Sequence, residues 1–348
     1  MTPDYSSGLP VSREAVATAD PGVPFWTENL LFCPYDPVCD IGAWLHLGSM
    51  PNDFGLWEDR VLICLPGDQG VLSMWAYYRT AQHNKPAGAN LAARCIEPFR
   101  RWQVTFDGYA QHISNIDMQA GLAPDGPRKR VVMDLTIEAA MPVWDAHTSA
   151  TGDTGKGGMD TQSWAKEHYE QMYRATGVVR VDGVEYPYNG TGWRDHSTGP
   201  RGGSGGDPWG GHVIAGCLFP SGRALIFSRY WKPDGTINLE GGCVYEPDGG
   251  FHHCEVVAAP RLTGLQWTGE ELPIGLRWPG GELNITMTTG RSIWTSMQKG
   301  LAVGKDLEGR GLMYVLNFGP CQWDGETGYM YMERSDALNA LPAEIKAG

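Results

Sequence analysis

From about Phe25 onward the chain is written in short apolar or alternating runs, each closed by turn residues within about ten positions. RVLICLP, GVLSMWAYYR, RRWQVTFDGY and KRVVMDLTIEAAMPVW carry the pattern through the first half. In WQVTFDG, Trp102, Val104 and Phe106 alternate with Gln103 and Thr105, the period of two that a half-buried strand requires. The second half repeats it. HVIAGCLFPSGRALIFSRYWKPDGTINLEGGCVYE reads as three strands joined at PSGR and KPDG, and LNITMTTGR, RSIWTSMQKG, GRGLMYVLNFGP and TGYMYMERS follow. Regular βα alternation is missing, which disfavours Rossmann and TIM architectures and leaves antiparallel sandwiches or barrels.

With 348 residues the chain can form two domains or one large one. Residues 1–24 are polar and turn-rich and are expected to form a loosely held arm. TSATGDTGKGGMDTQS, residues 148–163, reads as a linker, so the expected domains are 25–163 and 164–348. SWAKEHYEQMYRATG is ambiguous: Trp164, His168, Tyr169, Met172 and Tyr173 match a helical stripe yet lead directly into the strand-like VVRVDGVEYPYNG. A short C-terminal helix is expected in SDALNALPAEIK.

Charge and cysteine usage narrow the partners. A net charge of −13 repels phosphate backbones and anionic lipid surfaces, so no nucleic-acid partner is expected. No run reaches the roughly 20 apolar residues of a membrane helix, and MTPDYSSGLPVSREAV lacks the features of a signal peptide. The expectation is a soluble, cytoplasmic protein with no stable membrane insertion; an oligomer is compatible with the sequence. The eight cysteines stand singly, without a CxxC pair, and read as free, mostly buried thiols rather than a zinc site.

Four stretches invite chemistry. GGSGG at 202–206 matches G-x-S-x-G but lacks the strand before and the helix after that a nucleophile elbow needs, so it reads as a loop. His252, His253 and Cys254 have no spaced ligand partner and fit a strand whose histidines face opposite ways; no metal is expected there. In EPFRRW, Glu97 with Arg100 and Arg101 reads as an ion pair pinning a loop, or as an arginine orienting a neighbouring carboxylate. TGWRDHSTGPR, residues 191–201, sets Asp195 beside His196, with Arg194 and Arg201 flanking and Trp193 and Trp209 nearby. Indole surfaces would desolvate the carboxyl and hold its proton near neutrality, while imidazole or guanidinium pulls the other way. The equal alternative is a corner in which the arginines bond carboxylates and carbonyls and Asp195 caps backbone N–H groups.

HYEQ at 168–171, VDGVEYPYNGTGWRDHSTGPR at 181–201 and EPFRRWQVTFDG at 97–108 together resemble the AttH-like and carotenoid-hydratase-like family. The resemblance runs from about Phe25 to about residue 336. It implies an all-β fold of two consecutive lipocalin-like antiparallel β-barrels packed against each other, with few helices. It turns 168–183 into a long strand entering the second barrel. The family stretch reads R-D-H-S-W-G-P-R; Thr198 stands here in place of the tryptophan, a change expected to enlarge or re-polarise the pocket. By this resemblance Asp195 is the acid and His196 its modulator or proton partner, acting on a hydrophobic small molecule without metal or nucleotide cofactor. The reaction would be hydration or dehydration, isomerisation or cyclisation of a terpenoid- or polyketide-like compound. A developing cation needs aromatic faces, for which Trp193, Trp209, Tyr230 and Trp231 are candidates. A non-catalytic carrier of a hydrophobic ligand, or a structural role in an assembly, are the other readings. Neighbours on a strand face opposite sides, so Asp195 is expected inside a pocket between the barrels and His196 behind it, with Arg194 or Arg201 on a carboxylate such as Glu97.

Overall fold

The computed structural model describes residues 4–16, 19–79, 86–123, 125–147, 154–201, 209–248, 250–296, 302–307 and 311–338. The first half contains β1 (Trp26–Asp36), β2 (Ile41–Met50), β3 (Asp53–Cys64), β4 (Val71–Arg79), β5 (Leu91–Glu97), β6 (Arg101–Ile113), α1 (Asn115–Ala120) and β7 (Arg128–Ala139). Two short strands follow, β8 (Trp144–Asp145) and β9 (Lys156–Gly157), and then the long pair β10 (Glu167–Val181) and β11 (Val184–Pro200). The rest comprises β12 (Gly211–Leu218), β13 (Ala224–Trp231), β14 (Ile237–Glu246), β15 (Gly250–Ala258), β16 (Glu271–Trp278), β17 (Gly281–Thr288), β18 (Arg291–Ser296), β19 (Ala302–Val303), β20 (Met313–Trp323) and β21 (Glu326–Asp336).

Antiparallel pairing closes two rings. The first runs β1-β2-β3-β4-β6-β7-β10-β11 and returns to β1, and the second runs β12-β13-β14-β15-β16-β17-β20-β21 and returns to β12. Both are lipocalin-like barrels.

The sequence boundary at 163/164 is displaced. β10 pairs with β7 and β11 with β1, so both strands complete the first barrel, and the chain crosses to the second between Pro200 and Gly211. HYEQMYRATGVVRV is indeed one strand, but of the first barrel. Its helical look has a physical source: His168 to Tyr173 are all buried, three facing each way, so no polar face marks the period of two.

Nor is the N-terminal arm loose around Glu14. That side chain is 1% exposed and is bonded by Arg194, Trp102 and Tyr169, because a guanidinium inside the barrel needs a counter-charge that this carboxylate supplies. GGSGG and all of the expected C-terminal helix beyond Leu338 lie outside the described residues; Ser335 and Asp336 end β21. The eight cysteines are free, six of them buried.

Neither barrel is hollow. Trp57, Trp102, Phe106 and Tyr173 fill the first lumen, and Phe219, Phe227, Trp231 and Met332 the second. A third cluster joins the outer faces of the two barrels, with Leu31, Trp44, Met172 and Trp193 on one side and Ile214, Ile226, Tyr230 and Tyr331 on the other. Strands in this contact are buried on both faces: every residue of β12 is buried, and so is all of β1 after Trp26.

Candidate active site

β11 keeps its register against β1 and β10 without a bulge, so its side chains alternate strictly. Arg194 and His196 turn into the first barrel, where the Arg194 guanidinium lies over Trp102 and Tyr169 and pairs with Glu14 at 3.0 Å. His196 bridges Tyr169 Oη and Glu28 Oε1, each at 2.9 Å. Trp193, Asp195 and Ser197 turn the other way, toward the second barrel. Trp193 stacks on Tyr331 at 5.5 Å, and Asp195 opens into an inter-barrel cavity of about 360 Å³. That volume is at the lower end of the range of about 300–1,000 Å³ for small-molecule sites.

One wall of the cavity belongs to each barrel. From the first come Leu31, Trp44, Trp164, His168, Asp195 and Arg201; from the second, His212, Ile214, Tyr230, Tyr314 and Glu333, with Trp209 between. Trp164 stacks on Tyr230 at 4.9 Å and Tyr230 on His212 at 5.3 Å, giving one continuous aromatic surface.

Asp195 titrates at about 7 rather than near 3.8. Burial is the main cause; the charges of Glu170 and Glu333 add to it, while His168 and Arg201 oppose it. Among the described residues no hydrogen bond reaches its carboxyl, and the ion-pair approach within 4 Å is His168 Nδ1 at 3.9 Å. The other nitrogen of that imidazole, Nε2, lies 2.9 Å from Glu170 Oε1, and Trp193 Nε1 donates to Glu170 Oε2 at 2.7 Å. Glu170 thereby fixes the ring and leaves Nδ1, which has no hydrogen-bond partner, facing Asp195. Burial pulls the His168 pKa down, but bonding to Glu170 and the nearby carboxylates raise it overall. Glu170 is itself raised, by burial, against the pull of His168 and Trp193. The facing wall carries a matching group: Glu333 accepts from Trp44 Nε1 at 3.0 Å and Tyr331 Oη at 2.6 Å and lies 2.9 Å from His212 Nε2.

Several sequence candidates sit elsewhere. Trp193 lies behind the cavity wall, and Trp231 points into the second barrel under Arg261, because it follows the cavity-lining Tyr230 by one residue. Glu97 pairs with Arg100 at 3.3 Å with its side chain 52% exposed, away from Asp195; the carboxylate on Arg194 is Glu14. Thr198 faces the same side as His196 and bonds Glu167, so the missing tryptophan does not alter the cavity. His252 stacks on Trp278 and His253 meets Phe251; no group of three metal-ligating side chains occurs among the described residues. Trp209, Tyr230 and Arg201 do line the cavity. His168, Glu170, His212, Glu333, Trp44 and Trp164 carry no role in the sequence reading. Their signal is a charged or imidazole side chain inside a strand buried on both faces. A wider depression of about 690 Å³ lies between the arm and β5–β6 and shares no lining residue with this cavity.

Two filled lipocalin-like barrels with a polar and aromatic cavity between them define a double-barrel protein. The chain belongs to the family described as a domain of unknown function, DUF7064, whose model matches residues 12–337. Its fold is similar to that of a Nitrosomonas europaea protein assigned as AttH, at 12% identity and a TM-score of 0.51, covering 89% of this chain and 92% of that one. CghA aligns at 9% identity and a TM-score of 0.48, covering 90% and 88%. Kievitone hydratase from Nectria haematococca aligns at 10% identity and 0.48, covering 89% of each chain. No curated protein sequence matches significantly.

Proposed function

We propose that the chain is an acid/base lyase or isomerase of hydratase type, acting on a hydrophobic terpenoid- or polyketide-like molecule bound between the barrels. The observation that carries this reading is a carboxyl on the wall of the inter-barrel cavity, pushed up to about 7 by burial and backed by an imidazole whose free nitrogen faces it. Such a group holds a proton at neutral pH and can part with it. In the hydration direction the Asp195 O–H proton passes to one alkene carbon and a cation forms on the other. The faces of Trp164, Trp209 and Tyr230 attract that cation. Water adds to it, and the proton it loses returns to the Asp195 carboxylate directly or through His168 Nδ1. Dehydration is the reverse, and loss of a carbon-bound proton from the same cation is isomerisation. No metal or nucleotide enters this sequence.

The test is deuterium uptake from D₂O into a panel of terpenoid and polyketide alkenes and alcohols, in chelator-treated buffer, by wild type and Asp195→Asn. Loss of uptake by about 10²–10⁴-fold in a folded variant is expected for removal of a general acid. Uptake equal to wild type removes Asp195 from the chemistry. A ligand bound equally by both proteins, with no uptake in either, makes the cavity a carrier site.

A further inference from the structure

Among the described residues, the cavity carries one guanidinium without a carboxylate partner. Arg201 donates through Nε to the Trp164 carbonyl at 2.8 Å and through one terminal nitrogen to Asn29 Oδ1 at 3.4 Å. Among the described residues no carboxylate lies within 4 Å of its guanidinium. Arg60, the other guanidinium lining the cavity, is paired with Glu58 at 2.7 Å. Glu333 is already engaged by three partners. Asp195 keeps its proton up to about pH 7 and so gives Arg201 only part of a counter-charge. His46, also on the wall, is driven well below its ordinary value by burial and then by the charges of Arg60 and Arg201. A half-buried guanidinium that lines a cavity without a carboxylate partner favours an occupant with acceptor oxygens.

We propose that Arg201 anchors an acidic oxygen, a carboxylate or an enolised carbonyl, on an otherwise apolar substrate. The planar fork suits two such acceptors at once. Anchored there, the substrate lays its apolar body on Trp164, Trp209 and Tyr230, within the space that Asp195 also lines. This rests on the reading of the cavity as the substrate site and narrows its substrate class from hydrophobic to hydrophobic with one acidic group.

Binding tests it without need of turnover. 2-Naphthoate and 2-naphthamide share ring system and size and differ in charge. Calorimetric titration of wild type at pH 6 is expected to show the naphthoate bound at least about tenfold tighter, a difference within the reach of one charge-assisted pair. Arg201→Gln should bring the two affinities together, and Arg201→Lys should keep part of the preference. Equal affinities in wild type, or a preference surviving Arg201→Gln, would overturn the assignment. Should the Gln variant not fold, the wild-type comparison and the Lys variant decide. Asp195→Asn should keep the naphthoate preference, so loss of turnover there and loss of preference at Arg201 are read separately.

Discussion

At the scale of the residue, the Asp195 carboxyl ties pH to stability and, under the proposed function, to rate. As the proposed general acid it would work only protonated, so kcat/KM should be flat below about pH 7 and fall tenfold per pH unit above it. His168 holds the Asp195 pKa down by its positive charge, so His168→Gln should move that alkaline limb to higher pH; a limb that stays in place would disconnect the two groups. The stability effect has the opposite sense from a salt-bridged aspartate. The folded pKa lies above the unfolded 3.8, so as pH rises the unfolded chain ionises first, and folding stability drains away between about pH 4 and pH 7. Asp195→Asn removes this penalty. Urea titrations should find it more stable than wild type at pH 8, by up to about 4 kcal/mol, and nearly equal to it near pH 4.

At the scale of the element, what was legible in the sequence depended on how many faces a strand buries. β6 alternates between core and solvent, and Trp102, Val104 and Phe106 showed it in the text of the chain. That Asp195 and His196 face opposite ways was equally readable, from the period of a strand alone. β10 was not, because Tyr169 and Tyr173 fill one face while His168, Glu170 and Met172 meet the other barrel. The acidic group facing Asp195 stayed hidden for a different reason: Glu333 reaches the cavity from β21, at the far end of the fold, and local pattern says nothing about which outer face meets which. Gly216 in β12 shows how close that meeting is. A Cβ there would stand 2.7 Å from Trp193 Cδ1 and closer still to Met172 Sδ, both on the opposite barrel. Gly216→Val should therefore destabilise by about 1–3 kcal/mol through overpacking. Calorimetry giving an unchanged Tm would mean the barrels can part at this point without cost.

At the scale of the whole molecule, the contact between barrels is a core in its own right. Trp44 of one barrel donates to Glu333 of the other, Trp193 stacks on Tyr331, and Arg291 pairs with Asp40. Separating the barrels would expose Ile214, Ile226 and Tyr331, so differential scanning calorimetry should show one cooperative transition whose calorimetric and van't Hoff enthalpies agree. Two resolved transitions would show barrels that fold independently. The first barrel also sets a timetable for synthesis. Its seam joins Trp26 to Pro200, so β1 leaves the ribosome long before the strand that closes against it exists. At about 5–20 residues per second, the interval is roughly 10–35 s. Throughout it, the nascent chain presents one unpaired edge of an apolar strand carrying Leu30, Leu31 and Phe32, the kind of template on which chains stick to one another. Slower translation lengthens that exposure, and faster translation shortens it.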